Sequence, residues 1–312
     1  AAATKTDPFA GEPPLDDAIV RLRVWGTDAI HPLPQDPNGG DEHVIGVEAS
    51  CALRLDDRSG RASRRHAALS HRGSSWVVRD LASKNGLRFD GVPRDACTLE
   101  AGMELAIGGL TLIAESGRSI ALRGYLARLL GWAGDPAATV DHALRAVRMA
   151  ATGRVALVLC GDGDLVPIAG GLHRRVLGTD RPFVSCDPRR RSVGASARSV
   201  ANHADGRRAL EAAAGGTLCL WSSRPPRDFP RLLAALREPG TRVQLIVCAR
   251  DRAEGDAFLA APIVLPALAT RARELPRVVD EYALDAIAEL GATPASFTAA
   301  ARAWVLEHAT SS

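Results

Sequence analysis

The side chains able to do chemistry in this chain are sparse, and their spacing excludes more than it offers. Six cysteines stand at 51, 97, 160, 186, 219 and 248, with no CxxC pair among them. The eight histidines are scattered. No Cys/His spacing matches a zinc site, so no metal and no cofactor are expected. Ser63, Ser83 and Ser222 have no neighbouring His/Asp constellation that would activate a hydroxyl. One glycine-bearing loop, Gly161-Asp162-Gly163-Asp164, follows an apolar run. A loop that cradles phosphates needs open backbone amides, a lysine and a hydroxyl for Mg²⁺, and this one holds no lysine. Its two aspartates put negative charge where phosphate would sit. Arg189, Arg190 and Arg191 form a basic run that reads as a solvated loop. Cys160, Cys219 and Cys248 end or interrupt apolar runs and read as small buried hydrophobes.

The elements that must position these groups fall into two textures. The chain has 312 residues, 46% hydrophobic and 24% charged, with net charge +3. That composition suits two globular domains and gives no electrostatic case for nucleic acid. No apolar run approaches the roughly 18 residues a membrane span needs. No signal peptide is legible, and a cytoplasmic place is expected. Residues 1–17, rich in Ala, Pro, Gly and Asp, read as a disordered leader. Residues 18–116 carry short segments rich in Val, Leu and Ile, such as Ile19–Trp25, Ser75–Arg79 and Leu110–Ala114. Turn clusters such as Pro37–Asp41 and Asp56–Gly60 separate them, the pattern of an all-β sandwich. Residues 117–274 change to helical spacing at Ile120–Trp132 and Thr139–Ala151, then to continuous apolar runs. Those runs, at Arg154–Cys160, Arg181–Cys186, Gly216–Leu220 and Val243–Cys248, read as a buried parallel sheet covered by helices. Residues 275–312 read as helices broken around Gly291–Pro294.

Within the first texture the chain reads SRRHAAL at Ser63–Leu69, WVVRDLASKNG at Trp76–Gly86, Asp90-Gly91, and LEAGMELAIGG at Leu99–Gly109. In order and spacing this resembles the FHA (forkhead-associated) domain. The resemblance implies a β-sandwich whose loops at one end bind phosphothreonine peptides. By matched motif positions it implies that Ser63 donates to phosphate, that Arg64 lies alongside and that Asn85 holds the peptide backbone, with Lys84 preceding it. It also implies structural roles for Gly46, His66, Asp80 and Gly86, His66 ordering its loop by hydrogen bonds. The family's phosphate-binding arginine follows the first-turn glycine, and here that pair is Gly46-Val47. Arg54, Arg58 and Arg61 lie near in sequence as substitutes, and a sandwich that binds an unphosphorylated partner stays open.

The second half resembles the AAA+ domain of sigma-54-dependent transcription activators. The matches are RVALVLCGDGDL at Arg154–Leu165, RPFVSCD at Arg181–Asp187, LEAAAGGTLCLWSS at Leu210–Ser223, RLLAALRE at Arg231–Glu238, VQLIVCARD at Val243–Asp251 and LPALATRARELP at Leu265–Pro276. The family's phosphate-loop lysine is missing from Gly161–Asp164, and Trp221-Ser222 replaces its metal-binding acid pair. Nothing between Ser185 and Gly215 matches the loop that contacts sigma-54, and Gly291–Ser296 lacks the sensor arginine. The resemblance therefore implies a pseudo-ATPase with a helical lid remnant, not an enzyme.

The expectation is a non-enzymatic signalling or scaffold protein. It would bind a phosphothreonine-containing protein through the sandwich and use the degenerate AAA+ domain as a docking platform. Two alternatives stand beside it. One is a regulator of sigma-54-dependent transcription that co-assembles with an intact activator or RNA polymerase. The other is a divergent ATPase. No membrane contact and no direct DNA reading are expected, since no helix-turn-helix is legible.

Overall fold

A computed structural model describes residues 17–34, 41–153, 155–191, 194, 200–256, 262–290, 293 and 297–308. The leader up to residue 16, most of the Pro37–Asp41 turn and most of the Gly291–Ser296 stretch lie outside the described residues. Eleven strands come first. They are β1 (Ile19–Val24), β2 (Ile30–Pro32), β3 (Glu42–Gly46), β4 (Leu53–Arg54), β5 (Ala67–Arg72), β6 (Ser75–Asp80), β7 (Leu87–Phe89), β8 (Val92–Pro93), β9 (Ala96–Thr98), β10 (Glu104–Ile107) and β11 (Leu110–Ser116). They form two sheets, ordered β2-β1-β11-β10-β7-β8 and β4-β3-β5-β6-β9. Side chains alternate along each strand, so Trp76 and Val78 of β6 and Leu105 and Ile107 of β10 turn inward. They meet Leu22, Ile45, Leu69, Phe89 and Leu112 in one core between the sheets. The expected β-sandwich is present.

Then follow α1 (Gly117–Leu130), α2 (Pro136–Gly153), β12 (Leu157–Cys160), α3 (Val166–Leu177), β13 (Phe183–Cys186), β14 (Ala201–His203), α4 (Gly206–Ala212), β15 (Thr217–Trp221), α5 (Phe229–Arg237), β16 (Gln244–Ala249), α6 (Arg252–Asp256), β17 (Ile263–Val264), α7 (Leu275–Leu290) and α8 (Ala299–His308). The six strands β12–β17 make one sheet ordered β14-β13-β15-β16-β12-β17, every pair parallel. Leu157–Cys160 are all buried, as a strand covered on both faces requires. The parallel α/β region with helices is therefore also present. No helix among the described residues is long and apolar enough to cross a membrane.

The described chain divides into two compact units. One is Leu15–Gly124 with Asp135–Leu144; the other contains Tyr125–Gly134 and Arg145–Ser312. The composition break lies at 116–117, and the units cross it. In the first unit the start of α2 is tied to the sandwich by a buried charge network. The Arg23 guanidinium on β1 donates to Glu115 of β11 at 2.7 Å and to both carboxylate oxygens of Asp141. Asp141 also accepts the Gly26 amide at 2.7 Å, and Arg21 reaches Glu115 at 2.7 Å. Arg23, Glu115 and Asp141 are each at most 1% exposed. In the second unit His173 of α3 is buried between Thr217 Oγ1 at 2.8 Å and the Arg181 carbonyl at 3.0 Å. Burial holds its pKa below the ordinary value for histidine. Arg175 of the same helix stacks on the Tyr125 ring, 4.2 Å from its centroid.

Candidate functional site

The loops at one end of the sandwich are built from the sequence upward by short hydrogen bonds. Gly46 closes β3 where another backbone crosses it. A Cβ there would lie 2.1 Å from the Arg64 carbonyl oxygen, so only glycine fits. The Val47 amide then donates to the Ser63 carbonyl and the Glu48 amide to that of Arg64, at 3.3 and 3.1 Å. His66 is fully buried beneath this crossing. Its Nδ1 accepts the Ser63 amide at 3.0 Å, and its Nε2 lies 3.1 Å from the Gly86 carbonyl. An amide can only donate and a carbonyl only accept, so the ring proton sits on Nε2. The ring thus joins the 63–66 turn to the Gly86 turn.

Asp80 organises the facing loop. Its carboxylate accepts the Ser83 amide at 2.9 Å and the Ser83 hydroxyl at 2.6 Å, and Ser83 Oγ accepts the Gly86 amide at 3.0 Å. Gly86 takes φ +66, the left-handed region that glycine tolerates. The two loops are then stitched through the candidate residues themselves. The Lys84 amide donates to Ser63 Oγ at 3.1 Å, and Asn85 Nδ2 donates to the Arg61 carbonyl at 2.7 Å. With its oxygen accepting from Lys84, the Ser63 hydroxyl keeps its own proton to donate.

Sequence reasoning passed over Asp57. Its carboxylate accepts the Ser59 hydroxyl at 2.6 Å and the amides of Ala62, Arg61, Ser59 and Gly109 at 2.6, 3.0, 3.0 and 3.3 Å. These bonds, led by that to Ser59, hold its pKa down to about 2. The Asp-x-Ser-Gly run was the available signal, since aspartate binds amides two residues on in such turns.

Among the described residues Arg54, Arg61, Arg64, Arg65 and Lys84 are exposed and make no ion pair. Arg54 sits on β4 in parallel register with Gly46. Val47, where the family carries arginine, is half-buried and packs against the sandwich core.

The Gly161–Asp164 loop lies at the carboxyl end of β12. That strand sits between β16 and β17, where the connections change direction and α/β sheets form a crevice. The crevice holds about 380 Å³ and is lined by Gly161–Asp164, Arg190, Trp221, Ser223, Arg224 and Arg250. Asp164 accepts the Val166 amide at 3.2 Å. Asp187 lies 3.7 Å from Arg190 and 3.5 Å from Arg224. Just past the carboxyl end of β15 the Ser222 hydroxyl donates to Glu254 at 2.8 Å, a carboxylate the sequence did not single out. No group of three His, Cys, Asp or Glu side chains among the described residues could hold a metal ion.

Comparison with known proteins fits this geometry. The family model for the FHA domain matches residues 43–108. No curated protein matches the chain. Among similar solved structures is the N-terminal FHA domain of Saccharomyces cerevisiae Rad53p in complex with a phosphothreonine peptide, at 18% identity and TM-score 0.29. It covers 33% of this chain and 96% of that one. Another is Mycobacterium tuberculosis EmbR in complex with a low-affinity phosphopeptide, at 25% identity and TM-score 0.28, covering 32% of this chain and 25% of that one. The FHA domain of CT664 from Chlamydia trachomatis, at 26% identity and TM-score 0.26, covers 30% of this chain and 94% of that one. Residues 43–108, with their histidine-ordered crossing and aspartate-ordered facing loop, are an FHA domain.

Proposed function

We propose that this chain is a signalling protein whose FHA domain recognises a phosphothreonine segment of another protein. The observation that carries the reading is the fixed Ser63 hydroxyl, braced by the Lys84 amide and flanked by the unpaired guanidinium of Arg64. A phosphate brings about two negative charges and three acceptor oxygens, which this set can meet with a hydroxyl, a guanidinium and an ammonium. Asn85, tethered to the Arg61 carbonyl by its Nδ2, keeps an amide oxygen for the peptide backbone. Arg54 and Arg61 border the same loops and add to the field.

Calorimetry with phosphothreonine peptide libraries tests this. Binding is expected, and Ser63→Ala, which removes one charge-assisted hydrogen bond, or Asn85→Ala, which removes a neutral one and the tether to the Arg61 carbonyl, is expected to weaken it by about tenfold. Hits that ignore both substitutions overturn the reading.

For the second unit we propose a pseudo-ATPase fold kept as a protein-docking platform. What supports this is the chemistry of the crevice: Asp162 and Asp164 on the loop, no lysine, and Trp221-Ser222 at the position of the acid pair. Asp162 and Asp164 repel a phosphate at the loop itself, opposing the attraction of Arg190, Arg224 and Arg250 across the crevice.

A further inference from the structure

Two cavities within the second compact unit meet at one residue. One is the polar crevice at the carboxyl end of the sheet; the other is an apolar cavity of about 450 Å³. Leu165, Ile168, Leu265, Val278, Tyr282 and Phe297 line the apolar one. The two guanidiniums in its wall are already engaged. Arg128 donates to Asp285, and Arg271 donates to Glu274 and to the carbonyls of Leu129 and Arg128. Asp162 lines both cavities. Its neighbours fix its place. A Cβ on Gly161 would come 3.2 Å from Leu265, and Gly163 takes φ +82, the left-handed region. Asp162 is exposed, and its carboxylate meets no cation among the described residues. The charges around the polar crevice balance. Arg190, Arg224 and Arg250 stand against Asp162, Asp164 and Asp187, the last lying 3.7 Å from Arg190 and 3.5 Å from Arg224. Arg250 meets no carboxylate among the described residues.

We propose that these joined cavities bind a free α-amino acid with an apolar side chain, such as phenylalanine or leucine. The inference rests on the pseudo-ATPase reading and names what the crevice takes in place of a nucleotide. An α-amino acid carries an ammonium and a carboxylate on neighbouring atoms and no net charge, which suits a crevice whose own charges cancel. Asp162 takes the ammonium, and the crevice guanidiniums, Arg250 foremost, take the carboxylate. The side chain enters the apolar cavity that Asp162 also borders. Apolar walls with a few polar groups that fix orientation are the usual make-up of a small-molecule site. A polyphosphate would bring several negative charges to Asp162 and Asp164, and a purely apolar ligand would desolvate them without a partner. The chemistry favours the zwitterion.

The test titrates the full chain calorimetrically with phenylalanine, leucine, alanine, phenylalaninamide, hydrocinnamate, and ATP with Mg²⁺. Phenylalanine and leucine are expected to bind, and alanine about tenfold more weakly, because it leaves the apolar cavity unfilled. Phenylalaninamide lacks the carboxylate and hydrocinnamate the ammonium, and each is expected to lose about tenfold. Asp162→Asn and Arg250→Gln are expected to weaken phenylalanine by a similar factor. Both residues are exposed, so an unchanged urea midpoint without ligand shows that each variant is folded. Phenylalanine that fails to bind, binds no tighter than alanine, or ignores Asp162→Asn overturns the amino-acid site while the pseudo-ATPase reading stands. Equal binding of phenylalaninamide points to the amino terminus of a peptide and overturns the free amino acid. Micromolar binding of ATP with Mg²⁺ overturns both.

Discussion

On the proposed phosphothreonine reading, Val47 is the residue that limits phosphate affinity. It follows the glycine that the Arg64 carbonyl permits nowhere to be replaced, and its side chain packs against the sandwich core where the family carries a guanidinium. Val47→Arg is expected to tighten a neutral-flanked phosphothreonine peptide about tenfold, a charge-assisted bond gained at a half-exposed rim. Calorimetry of the substituted chain checks this, and no gain would mean that the guanidinium is not what limits binding. The site residues legible in sequence were those of the motif that resembles the FHA domain, some with partners 20 or more residues away, as Ser63 with Lys84 and Asn85 with Arg61, and some with close ones. His66 bonds three residues back to Ser63, Asp80 three forward to Ser83, and Ser83 three forward to Gly86. Asp57 was missed partly because one of its amides, from Gly109, arrives from 52 residues away. The register of Arg54 against Gly46 likewise depends on a strand pairing that no local pattern announces.

Between elements, the strongest tie in the first unit is the Arg23 network that joins β1, β11 and the start of α2. A buried guanidinium is tolerated only while its carboxylates are in place. Removing one leaves an uncompensated charge, at a cost of about 3–5 kcal/mol. Asp141→Ala is therefore expected to destabilise the FHA unit by that order, read as a lower midpoint in urea denaturation. Asp28→Ala, which breaks the exposed pair with Arg123, is expected to cost under about 1 kcal/mol. Strand and helix types were legible where the pattern is long: the runs around β12, β13, β15 and β16 are continuously apolar, as buried parallel strands must be. The three residues of β14 and the two of β17 are too short to carry any period, and only the sheet that accepts them defines them.

At the scale of the molecule, the sequence made both architectures legible, because hydrophobic period and turn chemistry differ sharply on either side of residue 116. The nucleotide chemistry proposed to be lost from the second unit has a direct check. Titration with Mg²⁺ and ATP is expected to give no binding heat in the micromolar range and no phosphate release above the blank. Binding at that strength would show that Arg190, Arg224 and Arg250 grip a triphosphate despite Asp162 and Asp164. Composition could not show how the compact units share the chain, since that depends on which side chains Asp141 and Tyr125 reach. The polypeptide leaves the first unit at Gly124, re-enters it at Asp135 and leaves again after Leu144. One protease nick, or one stop codon, can therefore never set both units free whole. Trimming after Ser116 strips the sandwich of Asp141 and leaves Arg23 with Glu115 alone, while trimming after Leu144 carries Tyr125–Gly134 away from the body it belongs to.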